Sequence, residues 1–316
     1  LEKLTERDKR HLWHPLTQHK THKGMLGITK ARGAVLIDEE GREYIDAIAS
    51  WYTAMYGHCN PDITGPVAKQ MSELDQVIFS GLTHEPAIAL SEALMEILPS
   101  NQEKLFFSDN GSTAVEIGIK MALQYFHNKG HRRNVMLAFE EGFHGDTFGA
   151  MSVSGLSSYN GPFEDHFIQV ERIEVPTEDN IDKILSGLKK RLEKEDIAGF
   201  VYEPLVQGAA AMKMHKPEHL NRILDVLKSH KVITIADEVM TGFGKTGSYF
   251  ASDQLSIKPD IICLSKALTA GLLPMAITSC SKEIYDAFYD DEIAKGSFTG
   301  IRIRPILWLA PLHYRL

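Results

Sequence analysis

Short apolar runs rich in β-branched residues alternate along the chain with longer stretches whose apolar positions recur every three or four residues. That alternation predicts an α/β architecture, with helices over 86–98, 112–128, 180–195 and 217–229. Strands are expected at 134–139 and 198–203, and a small hairpin joins Gly33–Asp38 to Arg42–Asp46 through Glu39-Glu40-Gly41. Two further apolar runs, Val232-Ile-Thr-Ile-Ala-Asp-Glu and Pro259-Asp-Ile-Ile-Cys-Leu-Ser-Lys, end in polar or charged residues. Ligands of open parallel sheets bind beyond the carboxyl ends of the strands, so Asp237 and Lys266 are expected to face one crevice. No internal repeat or low-complexity linker interrupts the pattern.

Composition narrows the classes. A chain of 316 residues holds one large domain or two smaller ones. With 34 basic against 42 acidic residues, the net charge of −8 argues against general nucleic-acid or anionic-membrane binding. Cys59, Cys263 and Cys280 lie far apart with no CxxC pair, which suggests a reducing compartment and no zinc ribbon. The 14 histidines show no HExxH or comparable spacing, so no metal site is expected. The first ten residues are charged rather than an apolar leader, and no apolar run reaches membrane length. A cytoplasmic enzyme is the expectation.

Asp237 and Lys266 are the central candidates for chemistry. A desolvated lysine amine can condense with an aldehyde cofactor. Pyridoxal phosphate draws electrons well only if its ring nitrogen stays protonated, which a neighbouring carboxylate secures. Taken singly, either residue is more often a cap or a surface charge. Ser108-Asp-Asn-Gly-Ser-Thr precedes a helix pattern and could hold a phosphate on free backbone N–H groups, or be an ordinary N-cap. Residues 140–149 place Phe143 and Asp146 among glycines, which suits a loop close to a flat ring, or a turn around a core Phe. Gly242-Phe-Gly-Lys-Thr-Gly247 imitates GxGxxG and the end of a P-loop. It is set aside because no clean helix follows Gly247 and Val239 stands where a P-loop needs its first glycine.

Together these segments resemble the class III (ω-)aminotransferases. The strongest pieces are Ile235-Ala-Asp-Glu-Val-Met-Thr-Gly-Phe-Gly-Lys-Thr-Gly and, at family-like distance, Pro259-Asp-Ile-Ile-Cys-Leu-Ser-Lys-Ala-Leu-Thr-Ala-Gly. Within that family, five segments resemble the branch that makes 7,8-diaminononanoate in biotin synthesis. They are His11-Leu-Trp-His-Pro-Leu-Thr-Gln, Ala49-Ser-Trp-Tyr, Gly81-Leu-Thr-His-Glu-Pro-Ala, Lys120-Met-Ala-Leu-Gln-Tyr and Tyr202-Glu-Pro-Leu-Val-Gln-Gly-Ala.

The resemblance implies fold type I: a mostly parallel seven-stranded sheet with helices on both faces, and a small second domain largely missing. It implies pyridoxal 5'-phosphate as cofactor, a homodimer, and amino transfer to 8-amino-7-oxononanoate with S-adenosylmethionine as donor. Lys266 and Asp237 would be catalytic, Gly111 and Ser112 would bind phosphate, and Phe143 would stack on the ring. Trp51, Tyr52 and Asp146 would bind substrate. The family usually has Tyr at the positions of Phe143 and Leu16, and the second departure leaves lysine open as the donor. Alternatives are another ω-aminotransferase, of ornithine or 4-aminobutyrate type, and an inactive truncated remnant.

Three parts are expected: 1–58 as the amino-terminal segment of the small domain, 59–300 as the large cofactor-binding domain, and 301–316 as a frameshifted tail. Residues 301–314 are what a family-type His-Thr-Tyr-Ser-Ala-Asn-Pro-Leu-Ala-Cys-Ala-Ala-Ala-Leu string becomes when one base is lost near codon 300. The polypeptide as written is therefore expected to fold poorly and lack activity.

Overall fold

The computed structural model describes residues 2–296; the tail 301–316 lies outside them. The strands are β1 (Ile28–Arg32), β2 (Val35–Asp38), β3 (Glu43–Ile45), β4 (Gln102–Ser108), β5 (Val135–Phe139), β6 (Val170–Ile173), β7 (Ile197–Tyr202), β8 (Val206–Gln207), β9 (Lys213–Met214), β10 (Ile233–Asp237), β11 (Ile261–Leu264) and β12 (Ala276–Ser281). The expected hairpin is present as β2–β3, with β1 added to make an antiparallel three-stranded sheet.

The main sheet has seven strands in the order β4-β12-β11-β10-β7-β5-β6. Pairing is parallel from β11 through β6, and β12 runs antiparallel to both of its neighbours. The sheet is therefore mixed and mostly parallel, as the resemblance implied. Its five inner strands are buried on both faces because alternate side chains enter two cores, while the edge strands β4 and β6 are partly exposed. In β5, Leu137 and Phe139 join one cluster, while Met136 and Ala138 join the other. The second cluster is roofed by the helix Gly111–Asn128. Gly118 lets that helix sit close: a Cβ there would lie 3.2 Å from Ile235 Cγ2 and 3.4 Å from Cys263 Sγ. This contact sets the helix over β10 and β11 and brings its first turn to the carboxyl end of the sheet.

The helices expected at 86–98, 112–128, 180–195 and 217–229 stand at Glu85–Ile97, Gly111–Asn128, Ile181–Leu192 and Pro217–Ser229. The helix Pro61–Glu73 and the strands β4, β6 and β12 had no counterpart in the sequence reading. In β12 the reason is visible: Thr278 and Ser279 are fully buried polar residues that break an apolar run. Thr278 Oγ1 donates to the Ala114 carbonyl at 2.8 Å and Ser279 Oγ to Gln102 Oε1 at 2.5 Å, so partners distant in sequence offset their burial. Among the described residues, no helix is long and apolar enough to cross a membrane.

Candidate active site

Three adjacent strands of the main sheet, β7, β10 and β11, deliver charged residues at their carboxyl ends. Asp237 ends β10 and is buried. One step past β11, Ser265 turns the chain, and Lys266 opens a short 3-10 turn (Lys266–Thr269) with φ 46°. Glu203 follows β7 and is also buried. Burial pushes the Lys266 amine below its ordinary pKa, while the negative charges of Asp237 and Glu203 act against that shift. Asp237 and Lys266 thus stand at the carboxyl ends of neighbouring parallel strands, close enough for the carboxylate to act on the amine. Among the described residues, no hydrogen-bond acceptor is paired with Lys266 Nζ; it lies 5.5 Å from the centroid of the Tyr52 ring.

The Asp237 carboxylate is held on both oxygens. His144 Nδ1–H donates to Oδ2 at 2.7 Å, and the Val239 N–H donates to Oδ1 at 3.0 Å. His144 is itself buried, and its Nε2 has no partner among the described residues. Neighbouring Phe143 keeps its ring half exposed, while its N–H donates to Glu203 Oε2 at 3.0 Å. Gly208 N–H donates to the other Glu203 oxygen at 2.9 Å. Burial raises the Glu203 pKa, and the Asp237 charge adds to the rise, while that of His144 opposes it.

Asn110 caps the helix Gly111–Asn128, taking the Thr113 N–H at 3.0 Å in a reciprocal box with the Thr113 side chain. The N–H groups of Gly111 and Ser112, in the first turn, have no intrahelical acceptor. At Gly111 a Cβ would meet Val239 Cγ1 at 2.8 Å, so only a bare backbone fits against the residue that follows Asp237 and Glu238. Ser112 Oγ accepts the Asp146 N–H at 3.0 Å, tying this turn to the loop that carries Phe143 and His144. The Asp146 side chain and Trp51 are exposed.

Sequence reasoning missed three groups here. Glu203 carries the same signal as Asp237, an acid ending an apolar parallel strand, and could have been found by it. His144 had no signal beyond its place in a glycine-rich loop. Lys245 lay in the discarded GxGxxG stretch, which is indeed a loop. Glu238, fully buried, folds that loop by accepting the Ala251 and Ser252 N–H groups at 3.1 and 2.7 Å. Lys245 Nζ then donates to the Tyr52 carbonyl at 3.1 Å and lies 3.3 Å from Met55 Sδ. Burial, together with the charge of Lys266, lowers its pKa to about 8.

These features fit pyridoxal phosphate. A desolvated amine, a buried carboxylate braced on both oxygens, and a helix turn with free N–H groups and no room for a Cβ converge at one end of the sheet.

Comparison with known proteins places this geometry in context. Residues 16–306 match the family described as Aminotransferase class-III. The adenosylmethionine-8-amino-7-oxononanoate aminotransferase of Synechococcus elongatus is 44% identical over 286 residues, covering 88% of this chain and 68% of its own. The enzyme of that name from Staphylococcus aureus is 36% identical over 314 residues, covering 94% and 70%. Among solved structures, the one from Methanocaldococcus jannaschii superposes with a TM-score of 0.85 at 35% identity, covering 90% of this chain and 67% of that one. An ω-transaminase from Pseudomonas jessenii in complex with PMP gives 0.84 at 27% identity, covering 94% and 69%. The chain thus spans about two thirds of the length of these relatives.

Proposed function

The chain belongs to the class-III aminotransferase family and is a pyridoxal-phosphate-dependent aminotransferase, and we propose that it transfers an amino group to 8-amino-7-oxononanoate to give 7,8-diaminononanoate, with S-adenosylmethionine as donor. The observation that carries this reading is the Lys266 amine, desolvated and within electrostatic reach of Asp237 at the end of the neighbouring strand. The two aminotransferases at 44% and 36% identity support the substrate pair.

Each residue's part follows from its surroundings. When bound, pyridoxal phosphate supplies an aldehyde carbon for covalent capture of amines and a ring that accepts electrons from the adjoining bond. Asp237, fixed by His144, would keep a proton on the ring nitrogen. Lys266 would hold the cofactor at its aldehyde carbon, and its lowered pKa favours the free amine that bonding requires. With the cofactor bound, Lys266 Nζ would be the group that moves a proton at the substrate carbon, as general base and then general acid. The N–H groups of Gly111 and Ser112 would bind the phosphate at the positive end of their helix. Phe143 offers a ring face for stacking, and Trp51, Tyr52 and Asp146 line the substrate side. Exposed Trp13, Ile45 and Ile48 support a homodimer, since large apolar side chains are commonly covered by a partner subunit.

The test is spectroscopic. The protein should develop the visible absorption of lysine-bound cofactor when pyridoxal phosphate is added, and Lys266→Ala should not. Adding 7,8-diaminononanoate or S-adenosylmethionine should bleach the band. A band that survives Lys266→Ala, or bleaching by ornithine or 4-aminobutyrate but not by 7,8-diaminononanoate, would overturn the assignment. Bleaching by lysine in place of S-adenosylmethionine would reassign the donor alone.

A further inference from the structure

Four consecutive residues, Ala49, Ser50, Trp51 and Tyr52, have φ values of 46°, 45°, 62° and 69°. Ser50 and Trp51 have ψ of 56° and 46°, so the segment is one turn of left-handed helix. Residues with a Cβ rarely adopt this conformation singly and almost never in series. Such strain persists only where the surroundings over-determine it, and it gathers at sites where a side chain must be held in place.

The front of the turn is anchored within its own segment. Ser50 Oγ donates to Asp46 Oδ2 at 2.7 Å, and His58 Nε2 meets the same oxygen at 2.8 Å. Thr53 Oγ1 donates to the Ser50 carbonyl at 2.8 Å. The back of the turn is tied to the large sheet. Lys245, on the loop that Glu238 folds, donates to the Tyr52 carbonyl at 3.1 Å and reaches Met55 Sδ at 3.3 Å. The nitrogens of Lys245 and Lys266 each lie 5.5 Å from the centroid of the Tyr52 ring, so that ring packs against both amines.

We propose that Lys245 is a positioning residue: it holds the Tyr52 carbonyl and Met55 sulfur so that the left-handed turn 49–52 keeps the Tyr52 ring against the Lys266 amine. Its importance for turnover rests on the reading of Lys266 given above; its effect on the turn does not. A charged donor suits the task. At a half-buried position, a charge-assisted hydrogen bond to the Tyr52 carbonyl outweighs a neutral one. Removing the charge should release the turn toward extended backbone, which keeps none of its internal hydrogen bonds, while leaving the sheet intact.

Hydrogen exchange on the cofactor-free chain, resolved by mass spectrometry, reads this directly. The Tyr52, Thr53 and Ala54 N–H groups donate to Ile48 and Ala49 carbonyls at 2.9 Å, and these bonds exist only while the turn is formed. In Lys245→Met, exchange of the 49–55 peptide should speed up about tenfold, with the peptide containing β10 unchanged. Lys245→Arg, which keeps charge and donors, should restore protection. Unchanged exchange at 49–55 in Lys245→Met would overturn the proposal. So would equal acceleration in β10, or Lys245→Arg behaving like Lys245→Met. The absorbance titration tests Lys266 and uses no Lys245 variant, so failure of either reading is seen separately.

Discussion

Asp237 depends on a neighbour that lies 93 positions away, and the strength of that dependence can be measured. His144 Nδ1 and Asp237 Oδ2 are 2.7 Å apart, and both residues are 3% exposed. Replacing His144 with Leu leaves Oδ2 without its donor, while Oδ1 keeps the Val239 N–H at 3.0 Å. A hydrogen bond to a buried charged group contributes about 1.5–3 kcal/mol, and a bare buried carboxylate oxygen adds a desolvation cost of similar size. Single-variant losses mix the two, so a double-mutant cycle of His144→Leu with Asp237→Asn is the cleaner measurement. The expected coupling is about 2 kcal/mol, or roughly thirtyfold in the folding equilibrium. Urea unfolding of the four cofactor-free proteins at pH 7 supplies it, provided the denaturant slopes agree. A coupling below about 0.5 kcal/mol would refute the claim that His144 braces this carboxylate.

Three further outcomes are expected. Burial lowers the His215 pKa from its ordinary 6.5 to about 4, so the folded state binds this proton less well than the unfolded chain. Its contribution of roughly 3 kcal/mol is present above pH 6.5 and lost as the pH falls through 4. His215→Gln, whose side-chain oxygen can still accept the Leu205 N–H now bound at 3.2 Å, should flatten stability over that window, and an unchanged pH slope would contradict this. Gly145→Ala would place a Cβ 2.1 Å from Ser112 Oγ and 2.7 Å from Ser112 Cα, at φ +130°. It should cost about 3 kcal/mol in thermal or urea unfolding and weaken cofactor retention, and a loss under about 1 kcal/mol would show that the loop yields. Gly118→Val should cost about 2 kcal/mol by pushing the helix Gly111–Asn128 off Ile235 and Cys263, and wild-type stability would mean the helix can slide.

Much of the frame was written locally. Alternation of β-branched runs with amphipathic stretches located β5, β7, β10 and β11, and the helix 217–229 to the residue. Local spacing encodes such elements because a side chain's face follows from its position in the period. The rule that ligands gather beyond parallel strand ends then singled out Asp237 and Lys266, and applied evenly it would have added Glu203. The strand β12 escaped because its buried Thr278 and Ser279 read as surface residues until their partners, Ala114 and Gln102, are known.

What folding alone settled is which distant groups meet. Sheet order brings β7, β10 and β11 side by side, and so gathers Glu203, Asp237 and Lys266 at one end of the sheet. The same packing lays His144 on Asp237 and Lys245 on Tyr52, and it imposes a left-handed turn on four residues none of which is glycine. Nothing in the periodicity of 49–52 hints at that conformation, because its cost is local while the contacts that offset it come from elsewhere in the chain.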